Sequence, residues 1–187
     1  NGPRIWLNTK TWGYQTIDPW EKIPSKFSWY AFQSSLDRTL YTIQNNSTLE
    51  RYDPLQKIFI SIPLNRDMWE MLRAPTQIAE DWNGDLWMVH QGLCRYRKST
   101  AQIDYCELKF PGAFLNLNTV GNIVNDTIHK KLWFSLYQNG LFRYDPETHD
   151  YKQFTLKEGL PDLVIGQMII VGRHIWIITP SGLASIS

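Results

Sequence analysis

A short phrase recurs along this chain, and its recurrence constrains the fold more than any composition figure does. Aligned on one column it reads "WGYQTIDP" (12–19), "STLERYDP" (47–54), "QGLCRYRK" (91–98), "NGLFRYDP" (139–146) and "SGLASIS" (181–187). The shared column falls at Gly13, Thr48, Gly92, Gly140 and Gly182, roughly 35 to 48 residues apart. Self-similarity at such a period marks a repeat architecture, in which one supersecondary unit is copied because it cannot bury its own faces alone.

A second echo comes five to seven residues before the first: "RIWL" (4–7), "TLYT" (39–42), "DLWM" (85–88), "KLWF" (131–134) and "HIWI" (174–177). It sets a large ring at Trp6, Tyr41, Trp87, Trp133 and Trp176. Two β-prone runs around a Gly- or Asn-bearing turn predict a β-hairpin, with the ring on its first strand. Strand-like runs also precede these hairpins ("WYAFQ" from Trp29, "TQIAE" from Thr76, "GNIVN" from Gly121, "GQMIIV" from Gly166). Others follow ("KIFISI" from Lys57, "IDYCELKF" from Ile103, "YKQFTL" from Tyr151), and Asp-Pro turns out of the hairpins stand at Asp18, Asp53 and Asp145, where proline presets the backbone. The expected unit is four antiparallel strands, A to D.

Four-stranded sheets that are apolar on both faces bury them by radial stacking, so the chain is expected to be all-β and built of β-propeller blades. A sandwich or a single barrel also uses closely spaced strands, but does not produce this long-period echo. The expected organisation is a single propeller segment, 1–187, with complete blades at 28–64, 75–111 and 119–157. Partial blades stand at 1–27, without strand A, and at 164–187, without strand D. These ends duplicate rather than complement each other. The reading is therefore a segment of a larger propeller, whose open edges invite pairing with another copy or with the remaining blades.

The repeat also accounts for the composition: nine Trp, nine Tyr and eight Phe in 187 residues is far above ordinary usage. A net charge of +1, with both signs interspersed, leaves no footprint for nucleic acid or for direct contact with an anionic membrane. No sequence motif for a phosphate loop, a nucleophile elbow or a cysteine nucleophile is found, and the four histidines are scattered without metal-ligand spacing, so neither a metal nor a cofactor is expected. The adjacent Glu80 and Asp81 read as turn chemistry rather than as an acid/base pair. Cys94 and Cys106 fall on the C and D strands of one blade. A hairpin turning near Thr100 would set them across from each other, and a disulfide and two buried thiols are both open readings.

"GDLWMVHQGLCRY" (84–96) and "KKLWFSLYQNGLFRYDPETHDYKQFTLKEGLPD" (130–162) resemble the two-component regulator propeller repeat, with its Leu-Trp, Gly-Leu, Arg-Tyr-Asp and closing Gly-Leu-Pro. The resemblance is strongest from Ile78 to Gly182 and weaker over the first seventy residues. It implies the periplasmic sensor region of a hybrid histidine kinase of the Bacteroides type, which senses glycan fragments and switches on carbohydrate-utilisation genes. Any kinase or DNA-binding activity would then lie outside this chain. The other functional expectations weighed are a carbohydrate-active lyase or hydrolase and a protein-interaction scaffold.

The registered rings Trp6, Tyr41, Trp87, Trp133 and Trp176 read as core between blades. Ligand candidates are the residues that break register at the B–C and D–A connections, which share one face of a propeller. They are Trp12, Trp69, His90 and Tyr137, with Arg66, Arg73, Asn45, Asn46, Gln91, Gln138 and Asn139 as polar neighbours. An aromatic ring stacks on the apolar face of a sugar while amides and charges take its hydroxyls, so the expected ligand is an oligosaccharide.

Overall fold

The structure, a computed structural model, describes residues 4–8, 13–17, 28–44, 48–62, 77–89, 93–106 and 121–187. Among these residues the chain is a succession of antiparallel sheets whose strands pair in sequence order. The first sheet holds β1 (Arg4–Asn8) and β2 (Gly13–Ile17). The second holds β3 (Ser28–Gln33), β4 (Leu40–Gln44), β5 (Leu49–Asp53) and β6 (Ile58–Ser61). The third holds β7 (Ile78–Glu80), β8 (Leu86–Val89), β9 (Leu93–Arg97) and β10 (Gln102–Cys106). The fourth holds β11 (Ile123–Asp126), β12 (Lys131–Leu136), β13 (Gly140–Tyr144) and β14 (Tyr151–Phe154). The last holds β15 (Gln167–Val171), β16 (His174–Thr179) and β17 (Gly182–Ile186). These are the expected propeller blades, three complete and two partial.

Strand register explains each letter of the recurring phrase. Trp87 pairs with Arg95 and Trp133 with Arg143, so each arginine lies across the strand from the ring. The guanidinium of Arg95 sits 5.2 Å from the centre of the Trp87 ring, and that of Arg143 sits 5.9 Å from Trp133. The leucine two residues earlier (Leu49, Leu93, Leu141) is buried on the same face as the ring. The tyrosine that follows the arginine lies on the other face, where Tyr96 and Tyr144 are buried. The aspartate closes the turn: Asp53 Oδ1 accepts the N–H groups of Leu55 and Gln56, and Asp145 Oδ1 accepts that of Glu147.

From the second sheet to the last, the two faces pack in one direction. Tyr41, Ile43 and Leu49 of the second sheet meet Ile78, Leu86, Met88, Cys94 and Tyr96 of the third. Trp87 and Leu93 of the third meet Leu132, Phe134, Phe142 and Tyr144 of the fourth. Trp133 and Leu141 of the fourth meet Met168, Ile175 and Ile177 of the last. Each fully covered Leu or Phe in these seams contributes roughly 1.5–3 kcal/mol of transfer free energy, so the cores between sheets, not within them, hold the segment together.

Polar groups lock the seams near strand A. Gln77 Oε1 accepts the Ile123 N–H at 2.9 Å, and Asn122 Nδ2 donates to the carbonyls of Ile165 (3.3 Å) and Gly166 (3.1 Å). Gln77 and Asn122 each stand immediately before strand A, so one amide position stitches a blade to its successor. The chain approaches β12 closely here. A Cβ at Gly121 would lie 1.3 Å from the Ser135 carbonyl oxygen, and only glycine fits.

Two expectations need correction. Trp176 is 37% exposed, whereas Tyr41, Trp87 and Trp133 are at most 5% exposed. In β16, exposed and buried residues alternate, with Ile175 and Ile177 covered by the fourth sheet and Trp176 on the face that no described sheet covers. The cysteines are also not set across from each other. Cys94 pairs with Tyr105 and Cys106 with Leu93, one step out of register.

Candidate functional site

Most of the expected ligand residues lie outside the described residues: Trp12, Trp69, Arg66, Arg73, His90, Gln91, Asn45 and Asn46. Tyr137, Gln138 and Asn139 are described, and together they form the turn between β12 and β13. Gln138 sits in the left-handed region (φ 58°) and Gly140 follows at φ 78°. This geometry lets two strands meet through a tight turn.

The turn is held from three sides. The Asn139 N–H donates to the Leu136 carbonyl (2.9 Å), and Asn139 Nδ2 donates to the Tyr137 carbonyl (2.9 Å). Gln153 Nε2, from β14, donates to the Asn139 carbonyl (2.8 Å). The Gly140 N–H donates to the Leu163 carbonyl (3.1 Å), tying the turn to the connection that leads into the last sheet. With its backbone so fixed, the turn leaves the Tyr137 ring 45% exposed and the Gln138 side chain in solvent.

The connection 155–166 supplies groups that the sequence reading passed over. It opens with a 3-10 turn, Leu156–Glu158, closed by reciprocal bonds between Thr155 and Glu158. Asp162 Oδ1 accepts the Val164 N–H (2.9 Å) and Oδ2 accepts the Ser181 hydroxyl (3.0 Å), which sits in the β16–β17 turn. Those two bonds, the backbone one foremost, hold the Asp162 carboxyl below its ordinary pKa. The B–C turns 137–139 and 180–181 and this D–A connection thus share one end of the blades. They bring an exposed aromatic ring, amides, a hydroxyl and an ionised carboxylate to the same face.

A second cluster lies between the second and third sheets. Lys98 Nζ donates to Ser34 Oγ (2.9 Å), Asp37 Oδ2 (2.8 Å) and Glu80 Oε1 (2.9 Å), and stands 5.2 Å from the centre of the Tyr41 ring. The Glu80 carboxylate also accepts the Ser34 hydroxyl, the Ser35 N–H (2.7 Å) and the Ser35 hydroxyl (2.8 Å). Burial pushes the Glu80 carboxyl up, but the bonds from Ser34, Lys98 and Ser35 outweigh it and the net direction is down. Asp37 is likewise held down by Lys98 and the Thr39 N–H against burial. Lys98 is held up by Asp37 and Glu80 against the same burial. Glu80 is therefore an anchor between blades, not merely a turn residue. Its neighbour Asp81 is the turn residue: it accepts the N–H groups of Asn83 (2.8 Å) and Asp85 (3.0 Å) and the Trp87 indole N–H (2.8 Å). The signal in the sequence was Lys98, which stands where the other repeats place proline.

Among the described residues no group of three or more His, Cys, Asp or Glu is arranged to hold a metal ion, and no helix is long and apolar enough to cross a membrane.

The strand order, the register and the one-directional packing define blades of a β-propeller. No protein-family model matches the chain, and no curated protein matches it in sequence. Solved structures share the fold. One, described as the extracellular domain of a hybrid two component system of B. thetaiotaomicron, is 19% identical with a TM-score of 0.70, over 98% of this chain and 24% of that one. A second such domain from the same organism is 13% identical with a TM-score of 0.65, over 94% of this chain and 25% of that one. An auxiliary nutrient binding protein of Bacteroides ovatus is 10% identical with a TM-score of 0.62, over 98% of this chain and 51% of that one. The chain spans about a quarter of the length of the first two structures.

Proposed function

We propose that the chain is part of the extracytoplasmic, ligand-sensing propeller of a hybrid two-component sensor. It receives a glycan-derived signal at the face of the B–C turns and D–A connections, and passes it to a kinase outside this chain. The observation that carries the reading is the exposed Tyr137 residue on a turn fixed by Asn139, Gln153 and the Leu163 carbonyl, which leads into the connection where Asp162 bonds Ser181. A rigid ring loses little entropy when a sugar stacks on it, and the neighbouring amides and carboxylate match sugar hydroxyls. Shared fold with extracellular domains of two-component systems supports the sensor part of this reading, and a nutrient-binding neighbour supports the small-molecule part. The segment itself acts by binding, not turnover.

The test is a glycan array followed by calorimetry, on a polypeptide carrying this chain with its adjoining blades. Saturable binding of an oligosaccharide is expected, weakened at least about tenfold by Tyr137→Ala, in keeping with loss of one well-packed aromatic contact. Turnover of a glycan by the purified protein would favour the lyase or hydrolase reading instead. Binding untouched by Tyr137→Ala would move the site off this face.

A further inference from the structure

The charge of the candidate face is set by few groups. Within the turns 137–139 and 180–181 and the connection 155–166, the charged residues are Lys157, Glu158 and Asp162. Lys157 and Glu158 are neighbours in the 3-10 turn, and the Glu158 carboxylate is occupied by the Thr155 N–H and hydroxyl, both at 2.7 Å. Their charges offset each other, which leaves Asp162 as the uncompensated one.

Asp162 also stands between the two turns. Its Oδ2 accepts the Ser181 hydroxyl of the β16–β17 turn, while the carbonyl of the next residue, Leu163, accepts the Gly140 N–H at the end of the Tyr137 turn. The Val164 N–H on Oδ1 fixes the carboxylate from the other side. An ionised carboxylate has about four acceptor sites and no hydrogen to give. Two are used here, and the residue is only half-buried. The remaining sites accept from a sugar hydroxyl or an ammonium, and repel a carboxylate or a sulfate. The amides add no opposing charge: Asn139 Nδ2 is bonded to the Tyr137 carbonyl, Gln153 Nε2 to the Asn139 carbonyl, and Gln138 is neutral. Because the Asp162 carboxyl is held below its ordinary pKa, this balance persists in mildly acidic solution.

We propose, on the reading that a glycan is received at this face, that the glycan is uncharged or carries a free amine, and that the Asp162 carboxylate excludes uronate and sulfated sugars. Selectivity of this kind comes from a repulsive group as much as from attractive ones.

The probe is an array of neutral, free-amine, uronate-bearing and sulfated oligosaccharides, presented to a polypeptide carrying this chain with its adjoining blades. Calorimetry on the best member of each group follows. The best neutral or amine-bearing member is expected to bind at least about tenfold tighter than the best acidic one. Asp162→Asn is expected to tighten the acidic member at least about threefold and to change the neutral one less than about twofold, with the difference shrinking in about 1 M salt. Gln138→Lys is a second variant that leaves the Asp162 bonds alone. Lysine fits there, since Lys57 and Lys130 hold φ values of 56° and 52°, close to the 58° of Gln138. It is expected to tighten the acidic member at least about tenfold.

An acidic glycan that binds best overturns the proposal. So does an acid-to-neutral ratio unchanged by Asp162→Asn when that variant keeps its urea midpoint; if the midpoint is lost, a ratio unchanged by Gln138→Lys does the same. Acidic preference that is lost with Tyr137→Ala overturns the charge preference alone and leaves the sensing face standing. Binding indifferent to Tyr137→Ala, or none in any group, overturns both.

Discussion

Replacing Lys98 by methionine keeps most of the stem and removes the charge from the seam between the second and third sheets. The lost contacts are three: Ser34 Oγ at 2.9 Å, Asp37 Oδ2 at 2.8 Å and Glu80 Oε1 at 2.9 Å. Asp37 is half open to water, and that pair contributes at most about 1 kcal/mol. Glu80 is different, with a side chain only 4% exposed. Stripping a buried carboxylate of its cation costs about 3–5 kcal/mol when nothing else holds it. Here Ser34 and Ser35 still donate, so the expected destabilisation is about 2–3 kcal/mol. Urea denaturation at pH 7 reads it directly.

Adding Glu80→Gln to Lys98→Met removes the orphaned charge and is expected to restore about 1 kcal/mol or more. The pH dependence carries the sign. Asp37 and Glu80 have lowered pKa values in the folded state, so their contribution is complete above the ordinary carboxylate range and fades as pH falls through it. Lys98 is raised, so its share persists below its ordinary value and is lost only in more alkaline solution. The gap between wild type and Lys98→Met is therefore widest between about pH 5 and 9 and narrows below about pH 4. A penalty under 0.5 kcal/mol, a double variant no better than the single one, or a gap unchanged at about pH 3 would refute the reasoning.

Other perturbations follow from the same structure. Leu141→Ala opens a cavity between the fourth and last sheets and is expected to cost about 2–5 kcal/mol, whereas Leu183→Ala, at the same position on the exposed face of the last sheet, is expected to cost under about 0.5 kcal/mol in the 187-residue chain; urea midpoints compare them. Gly140→Ala places a Cβ 2.4 Å from the Phe154 carbonyl oxygen at a φ of 78°, and a loss of at least about 2 kcal/mol is expected in thermal melts. Trp87→Phe removes the indole donor to Asp81 while keeping a ring, and about 1–3 kcal/mol is expected from the buried carboxylate left short of a partner.

The repeated parts of the molecule were legible in sequence because the phrase meets the same physical demands in the three complete blades. There a seam calls for Leu, and a ring has an arginine across the strand. What escaped is what does not repeat. Lys98 breaks the Asp-Pro refrain, but only the packed structure shows it reaching 61 residues back to Asp37. Asp162 and Ser181 are ordinary loop residues until the backbone folds them together 19 residues apart. The exposure of Trp176 is invisible to an alignment, which treats five equivalent rings alike. Burial depends on the neighbouring sheet, not on the ring's own strand. The register of the two cysteines was not legible for a finer reason: hairpin spacing alone does not fix a one-residue step between paired strands.

The central claim, that ligand is received at the end of the blades where B–C turns meet the D–A connection, is tested most directly by hydrogen–deuterium exchange with and without the oligosaccharide that binds best. Slower exchange is predicted in peptides spanning 135–140 and 155–166, with no change in the 126–131 turn at the opposite end of the fourth sheet. Protection confined to 126–131, or none anywhere under saturating ligand, would contradict the account.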